Sequence, residues 1–202
     1  MAKRKTLGSN QEKIVLYLAE HPQKTMSDMQ KEFDIPKNSY NIIHRSTKVL
    51  EEMGFILRDE ETSVKARPTY PFVLTETGVL YALSKKPNIK DKKNILTTYS
   101  EIYPEFKRYL ALAQELGDKL FSKLSKYLFR SLELFDKKKK SKDETIQLGW
   151  ALAMIFSEGF SEKERDHFFD VIFKLYPEFI PNYNKMFESV IKQLKKYGGV
   201  ID

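Results

Sequence analysis

The sequence predicts a mainly helical protein of two domains, with one small β-hairpin in the first. Apolar residues recur at the three- and four-residue spacing of helices through most of the 202 positions. Two short apolar runs, at 55–57 and 70–74, flank a polar stretch and predict the hairpin. Lysines, a proline and an asparagine interrupt the helical pattern over 85–94. We therefore expect one domain over 1–86 and an all-helical domain over 87–202.

The first helix is predicted by its start signal. Ser9 followed by Glu12 is a capping-box pattern, in which the first side chain and the later carboxylate each bond the other's backbone N–H. The apolar spacing that follows predicts that Ile14, Val15 and Leu18 are buried.

The next two helices are predicted by the residues that end them. A second helix is expected to begin near Thr25 or Ser27 and to end before Pro36, because the residue before a proline disfavours helical dihedral angles. A third is expected over 38–53, with Gly54 as its end signal. A polar loop is then predicted over 59–67, and a fourth helix begins at the group Thr75, Glu76 and Gly78.

The second domain has no alternating pattern typical of strands. The stretch 103–135 predicts one long helix or two that join near Gly117 and Asp118, because glycine disfavours a helix interior. Ser161 with Glu164 is another capping box. A lysine-rich loop is predicted over 137–142, and further helices over 143–157, 161–176 and 182–197.

Composition and motif content exclude several classes of site. The absence of cysteine excludes disulfides, thiolate metal sites and a cysteine nucleophile. The three histidines lack metal-ligand spacing, and no glycine-rich phosphate loop or nucleophile motif is present. We therefore expect no enzyme activity, no metal and no cofactor. The basic N-terminus and the shortness of the apolar runs predict a cytoplasmic protein without a membrane segment.

Two short motifs in the first domain carry a family resemblance. A Leu-Glu-x-x-Gly pattern ends the third helix, and a Leu-Thr-x-x-Gly pattern follows the hairpin; their residues are Leu50, Glu51, Gly54, Leu74, Thr75 and Gly78. With this order of elements, residues 24–84 resemble the winged helix-turn-helix family of DNA-binding domains. The resemblance implies that the third helix enters the major groove and that the hairpin forms a wing against the minor groove or the backbone.

Helical geometry independently gives the third helix two different faces. An arc containing Ile42, Ser46, Val49, Leu50 and Met53 is expected to pack inward. The opposite arc is polar, and Asn41 is the best candidate for a bidentate contact to adenine, followed by Arg45 for guanine or phosphate. The resemblance adds two wing residues, so the candidate DNA-binding residues are Lys37, Ser39, Tyr40, Asn41, His44, Arg45, Lys48, Lys65 and Arg67. An ordinary solvated helix face is the alternative interpretation.

Net charge and domain organisation extend this hypothesis. Lys and Arg exceed Asp and Glu by 35 to 28, and a net charge of +7 suits a phosphate-bearing partner. The resemblance implies a transcriptional regulator of double-stranded DNA that acts as a homodimer through its C-terminal helices. Candidate dimer surfaces are Phe129, Leu132 and Phe135, or Met186, Val190, Ile191 and Leu194.

Two other functions fit the same sequence. One is a protein-interaction module of a larger assembly, because the winged-helix fold also occurs in proteins whose function is to bind other proteins. The other is non-sequence-specific nucleoid or plasmid-maintenance binding to DNA. The polar outer face of the third helix favours DNA over a protein partner, whereas nothing in the sequence identifies a small-molecule effector.

Overall fold

The computed structural model describes residues 7–33, 40–59, 70–136 and 161–178, together with positions 180, 181, 184 and 188. The side chains at 40 and 130–136 lie outside this description. The chain has two compact units, and the division falls between Lys107 and Arg108.

The described part of the chain is mainly helical, with a small two-stranded antiparallel sheet, which confirms the predicted fold class at this level. The helices are α1 (Ser9–Glu20), α2 (Met26–Glu32), α3 (Tyr40–Glu52), α4 (Glu76–Lys85), α5 (Ile89–Tyr99), α6 (Phe106–Asp136) and α7 (Glu162–Leu175). The strands are β1 (Ile56–Arg58) and β2 (Phe72–Leu74), paired so that Leu57 lies opposite Val73.

Helix α1 lies at the centre of the first unit and packs against α3, α4, α5 and β2. Ile14, Val15 and Leu18 are buried as predicted. The predicted capping box was wrong by one residue. Gly8, with an extended backbone, caps the helix, and its N–H donates to Gln11 Oε1 at 2.7 Å. The carboxylate of Glu12 instead accepts from the Tyr81 hydroxyl at 2.9 Å and so joins α1 to α4.

Helix α2 begins at the predicted place because a complete capping box forms there. The Thr25 hydroxyl accepts from the backbone N–H of Asp28 at 3.2 Å, and the Asp28 carboxylate accepts from the backbone N–H of Thr25 at 2.9 Å. Hydrogen bonds from Thr25 hold the pKa of Asp28 below its ordinary value. Met29 is fully buried.

Helix α5 occupies most of the segment that the sequence indicated as a domain boundary. Asn88 is the N-cap residue of α5, and its side-chain oxygen accepts from the backbone N–H of Asp91 at 2.8 Å. The inward face of α5 includes Ile95 and Leu96, and the helix packs against α1 and α4. The first unit therefore continues past residue 86 to Lys107.

Two tyrosines hold the main chain of β2: Tyr99 at the end of α5 and Tyr103 in the segment that follows it. The Tyr99 hydroxyl donates to the carbonyl of Leu18 at 2.8 Å and accepts from the N–H of Leu74 at 3.3 Å. The Tyr103 hydroxyl donates to the carbonyl of Leu74 at 2.9 Å. Burial raises the pKa of Tyr99, so its hydroxyl keeps the proton that it donates.

The second unit contains α7 and nearly all of α6. Helix α6 is interrupted at Gly117, whose φ of 70° and ψ of −177° lie outside the helical region, and this confirms the predicted join. Helix α7 is capped by Ser161 and Glu164 as predicted. The predicted loop over 137–142, the helix over 143–157 and most of the helix over 182–197 lie outside the described residues.

Two ion pairs connect α6 to α7. Lys119 pairs with Glu164, and Lys174 Nζ lies 2.9 Å from Glu115 Oε1. The two residues of α6 that form these pairs lie on opposite sides of the interruption at Gly117. A search of the described helices found none that is long and apolar enough to cross a membrane.

The first prediction concerns the buried hydroxyl of Tyr99. Tyr99→Phe leaves the carbonyl of Leu18 and the N–H of Leu74 without this partner, and an unsatisfied buried group costs about 1–3 kcal/mol. We expect the free energy of unfolding to fall by about 2 kcal/mol, measured by urea denaturation with circular dichroism at 222 nm. Tyr103→Phe is the matched comparison, with a smaller loss because its side chain is only half-buried. Equal stability of Tyr99→Phe and the parent protein would contradict this account.

The second prediction concerns acid stability. The hydrogen bond from Lys119, with those from Ser161, lowers the pKa of Glu164 to about 2. A carboxyl group with a depressed pKa stabilises the folded state above its ordinary pKa, and this contribution is lost as the pH falls through the folded value. We therefore expect Glu164→Gln to lower the thermal midpoint at pH 7 and to flatten its decline between pH 4.5 and 2. The control is Glu162→Gln, the same substitution at an exposed carboxylate of the same turn, and the predicted flattening is the difference between the two variants.

Candidate nucleic-acid interface

The inward face of α3 is formed by Ile43, Ser46, Thr47 and Leu50, all of which are buried. Ser46 and Leu50 were expected there, but the prediction that Ile42 packs inward was wrong, because its side chain is 42% exposed. The helix packs against both α1 and α2, and this places the buried arc closer to Ile43 and Thr47 than periodicity alone indicated.

The buried hydroxyl group of Thr47 on this face has a hydrogen-bond partner. The Thr47 hydroxyl donates to the carbonyl of His44 at 3.0 Å, within the helix. Threonine can bury its methyl group in this way while its hydroxyl remains satisfied. Val49 and Met53, also expected on the inward arc, are half-buried at its edge.

The opposite side of α3 carries four of the candidate DNA-binding residues, and all four are exposed: Asn41, His44, Arg45 and Lys48. At 100° per residue they fall within an arc of about 100°. We call this set the α3 outer face. It presents two permanent cations, one amide and one imidazole to solvent, so it can donate hydrogen bonds to anionic oxygens and to base edges.

The side chains of the other five candidate residues lie outside the described part of the structure. Tyr40 begins α3, but its side chain lies outside the description. Lys37, Ser39, Lys65 and Arg67 lie wholly outside the described residues. Their proposed contacts therefore remain predictions from the sequence.

An acidic residue near the C-terminal end of α3 is neutralised by the hairpin. Arg58 of β1 bonds the carboxylate of Glu51 through both ends of its guanidinium, with Nε 2.7 Å from Oε1 and a terminal nitrogen 3.0 Å from Oε2. A bidentate pair of this kind has a defined geometry as well as opposite charges. Glu51 therefore subtracts little from the positive charge of the α3 outer face, and it connects the helix to the strand that follows.

The end of α3 is fixed by a left-handed glycine. Gly54 has a φ of 74°, a conformation that favours glycine over residues with a side chain. Its N–H donates to the carbonyl of Glu51, and the N–H of Phe55 donates to the carbonyl of Leu50, both at 2.9 Å. This pair of bonds is the Schellman arrangement, which satisfies the last carbonyls of a helix.

The second sequence motif is bonded directly to the first. The Thr75 hydroxyl donates to the carbonyl of Gly54 at 2.6 Å and accepts from the N–H of Gly78 at 3.2 Å, where it caps α4. The Thr75 N–H donates to the carbonyl of Phe55 at 3.0 Å. The two motifs therefore form one junction, which we call the Gly54–Thr75–Gly78 junction, and it fixes the end of α3 against the start of α4.

Sequence reasoning missed the neighbours of α3 on α1. Asn10 and Lys13 are exposed and line a small cleft of about 80 Å³ together with Ile42 of α3. Phe33, Ile14 and Ile43 form the rest of its lining. Helical periodicity could have placed Lys13 on the solvent side of α1, but only the packing of α1 on α3 brings it beside Ile42. A search of the described part of the chain found no group of three side chains able to hold a metal ion.

The third prediction tests the junction that positions α3. A Cβ atom at Gly78 would lie 2.2 Å from the carbonyl oxygen of Phe55, so Gly78→Ala must displace backbone and should lower the free energy of unfolding by about 2–3 kcal/mol. Gly54→Ala meets no neighbour within 4 Å and has only the strain of its φ to overcome, about 1–2 kcal/mol. Gly8→Ala makes only an ordinary contact but changes the cap of α1, and it should cost less than Gly78→Ala. Denaturation midpoints check the order, and a tolerated Gly78→Ala would disprove the close contact.

Comparisons of the chain with protein-family models, with curated proteins and with solved structures found no match. A function for the α3 outer face therefore has to be inferred from its own geometry and charge.

Proposed function

We propose that the protein binds double-stranded DNA and that its first unit is a winged helix-turn-helix domain with α3 as the recognition helix. In this proposal α2 and α3 are the two helices of the motif, and β1 and β2 form the base of the wing. The observation that carries the proposal is the α3 outer face, which consists of Asn41, His44, Arg45 and Lys48, all exposed on one side of one helix. Such a helix has the dimensions of the major groove.

The residue types on this face suit different parts of a duplex. Asn41 lies in the first turn of α3, which is the end that a recognition helix places deepest in the groove. Its amide can accept from and donate to adenine at the same time. Arg45 can bond guanine or a phosphate, and Lys48, about two turns beyond Asn41, suits a phosphate.

The net charge of the chain supports the same partner. The chain has a net charge of +7, and the carboxylate of Glu51 is already paired with Arg58. Binding that neutralises phosphates releases counterions, so affinity should fall with salt by about 0.9 log units per log unit of salt for each contact.

A protein partner for this face has less support. Among the described residues of α3, Ile42 is the one large apolar side chain classed as exposed. Protein interfaces have a contiguous apolar centre built from several residues. One exposed isoleucine does not provide one.

We further propose that the protein is a transcriptional regulator that acts by occupying its site as a homodimer. Two copies of α3 would then face half-sites about 34 Å apart. Of the residues proposed for the dimer contact, Phe129 is half-buried on α6, and the side chains of Leu132, Phe135, Met186, Val190, Ile191 and Leu194 lie outside the described part of the structure.

The fourth prediction tests DNA binding by fluorescence anisotropy. The purified protein is titrated into a random duplex and into a duplex selected from a randomised pool, each at two salt concentrations. Arg45→Ala and Lys48→Ala should weaken binding, and the loss of one phosphate contact should lower the salt slope by about 0.9. Asn41→Ala should cost about 1–3 kcal/mol on the selected duplex and leave the random duplex unaffected.

The matched control is Lys90→Ala, which removes an exposed lysine from α5 rather than from α3. It should bind like the parent protein. Equal affinity for the two duplexes would indicate an architectural or maintenance role instead of regulation. Absence of binding at low salt would reject the proposal, and mass determination of the complex tests the dimer separately.

A further inference from the structure

We infer that Ile42 is a specificity-determining residue that contacts the methyl group of a thymine in the major groove. This inference rests on the proposed function, because it assigns a base contact to the same helix. Its partner is a thymine beside the bases that Asn41 and Arg45 contact. None of the candidate DNA-binding residues predicted from the sequence is apolar, so Ile42 adds a different kind of contact.

Other residues than Ile42 form the buried apolar face of α3. Ile43, the next residue, is 1% exposed and Leu50 is fully buried, so the apolar contacts of the helix are made by other residues. Ile42 lies in the first turn of α3, where residues three positions apart are neighbours on the helix surface. That spacing places Ile42 beside the exposed Arg45, at the edge of the α3 outer face.

The surroundings of Ile42 define what can cover it. Asn41 and Arg45 border it on α3, and Asn10 and Lys13 border it across the small cleft on α1, all four of them exposed. The rest of the cleft is lined by the less exposed Ile14, Phe33 and Ile43, so only the solvent side of Ile42 has a polar and cationic border. That border matches a partner that is anionic, with small isolated apolar groups. DNA fits this description, because the C5 methyl of thymine is the one apolar group that its major groove presents.

The size of the contact sets the expected effect. Burial of one methyl-sized group contributes about 0.8 kcal/mol, which corresponds to about a fourfold change in affinity. An effect of this size changes base preference without changing whether the protein binds DNA at all.

The test replaces thymine by deoxyuridine, which lacks the methyl group and keeps the same hydrogen-bonding groups. Each thymine of the selected duplex is replaced in turn, and affinities are measured by anisotropy for the parent protein, Ile42→Ala and Ile42→Val. We expect one position per half-site at which the replacement weakens the parent protein about fourfold. Ile42→Ala should lose this discrimination and Ile42→Val should keep part of it.

The control is Ile102→Ala, which shortens an isoleucine of similar exposure, 38%, in the segment between α5 and α6. It should respond to deoxyuridine as the parent protein does. Thermal unfolding by circular dichroism checks that Ile42→Ala is folded, and Ile42→Val provides the second variant if it is not.

The outcomes separate this inference from the proposed function. DNA binding with no sensitive thymine, or with the same sensitivity in Ile42→Ala, overturns the role of Ile42 and leaves the proposed function standing. Weaker binding of Ile42→Ala to every duplex alike shows a structural role and also overturns it. A parent protein that binds no duplex at low salt rejects both, and then a protein partner becomes the better interpretation of the exposed Ile42.

Discussion

The orientation of α3 depends on a close approach between two pieces of backbone. The position where Gly78 would carry a Cβ is occupied by the carbonyl of Phe55, and the same carbonyl accepts from the N–H of Thr75. Any larger residue at 78 would push α4 away from the end of α3. Glycine is required at the two motif positions for different reasons. Gly54 has a positive φ, whereas a side chain at Gly78 would have no space. Together they fix the end of α3 against the start of α4.

Start and end signals in the sequence predicted most described helices, because capping depends on residues that are close along the chain. Thr25, Thr75 and Ser161 each cap a helix where their patterns indicated. Helix α5 was missed because its lysines resemble a linker, although Asn88 followed by Asp91 is itself a start signal. The segment 85–94 ends just before the buried Ile95 and Leu96, so its composition alone does not show the apolar face of the helix.

The sequence predicted which polar residues of the candidate interface are exposed, but it did not predict the exposed apolar residue. Exposure of Asn41, Arg45 and Lys48 follows from the 3.6-residue period, which needs no knowledge of neighbouring elements. The exposure of Ile42 does not follow from it, because a helix that contacts two others buries an arc whose centre depends on their placement. For the same reason no spacing rule could place Lys13 of α1 next to α3.

The hydrogen bonds at β2 have a consequence for association between copies of the chain. On the side of β2 away from β1, the N–H of Phe72 donates to the carbonyl of Lys24, while both main-chain groups of Leu74 are bonded to Tyr99 and Tyr103. An exposed strand edge with unpaired groups is a template for intermolecular β-sheet and for aggregation. Here two phenolic hydroxyls and one loop residue substitute for a third strand, so this edge has no free donor or acceptor at Leu74 with which to recruit one.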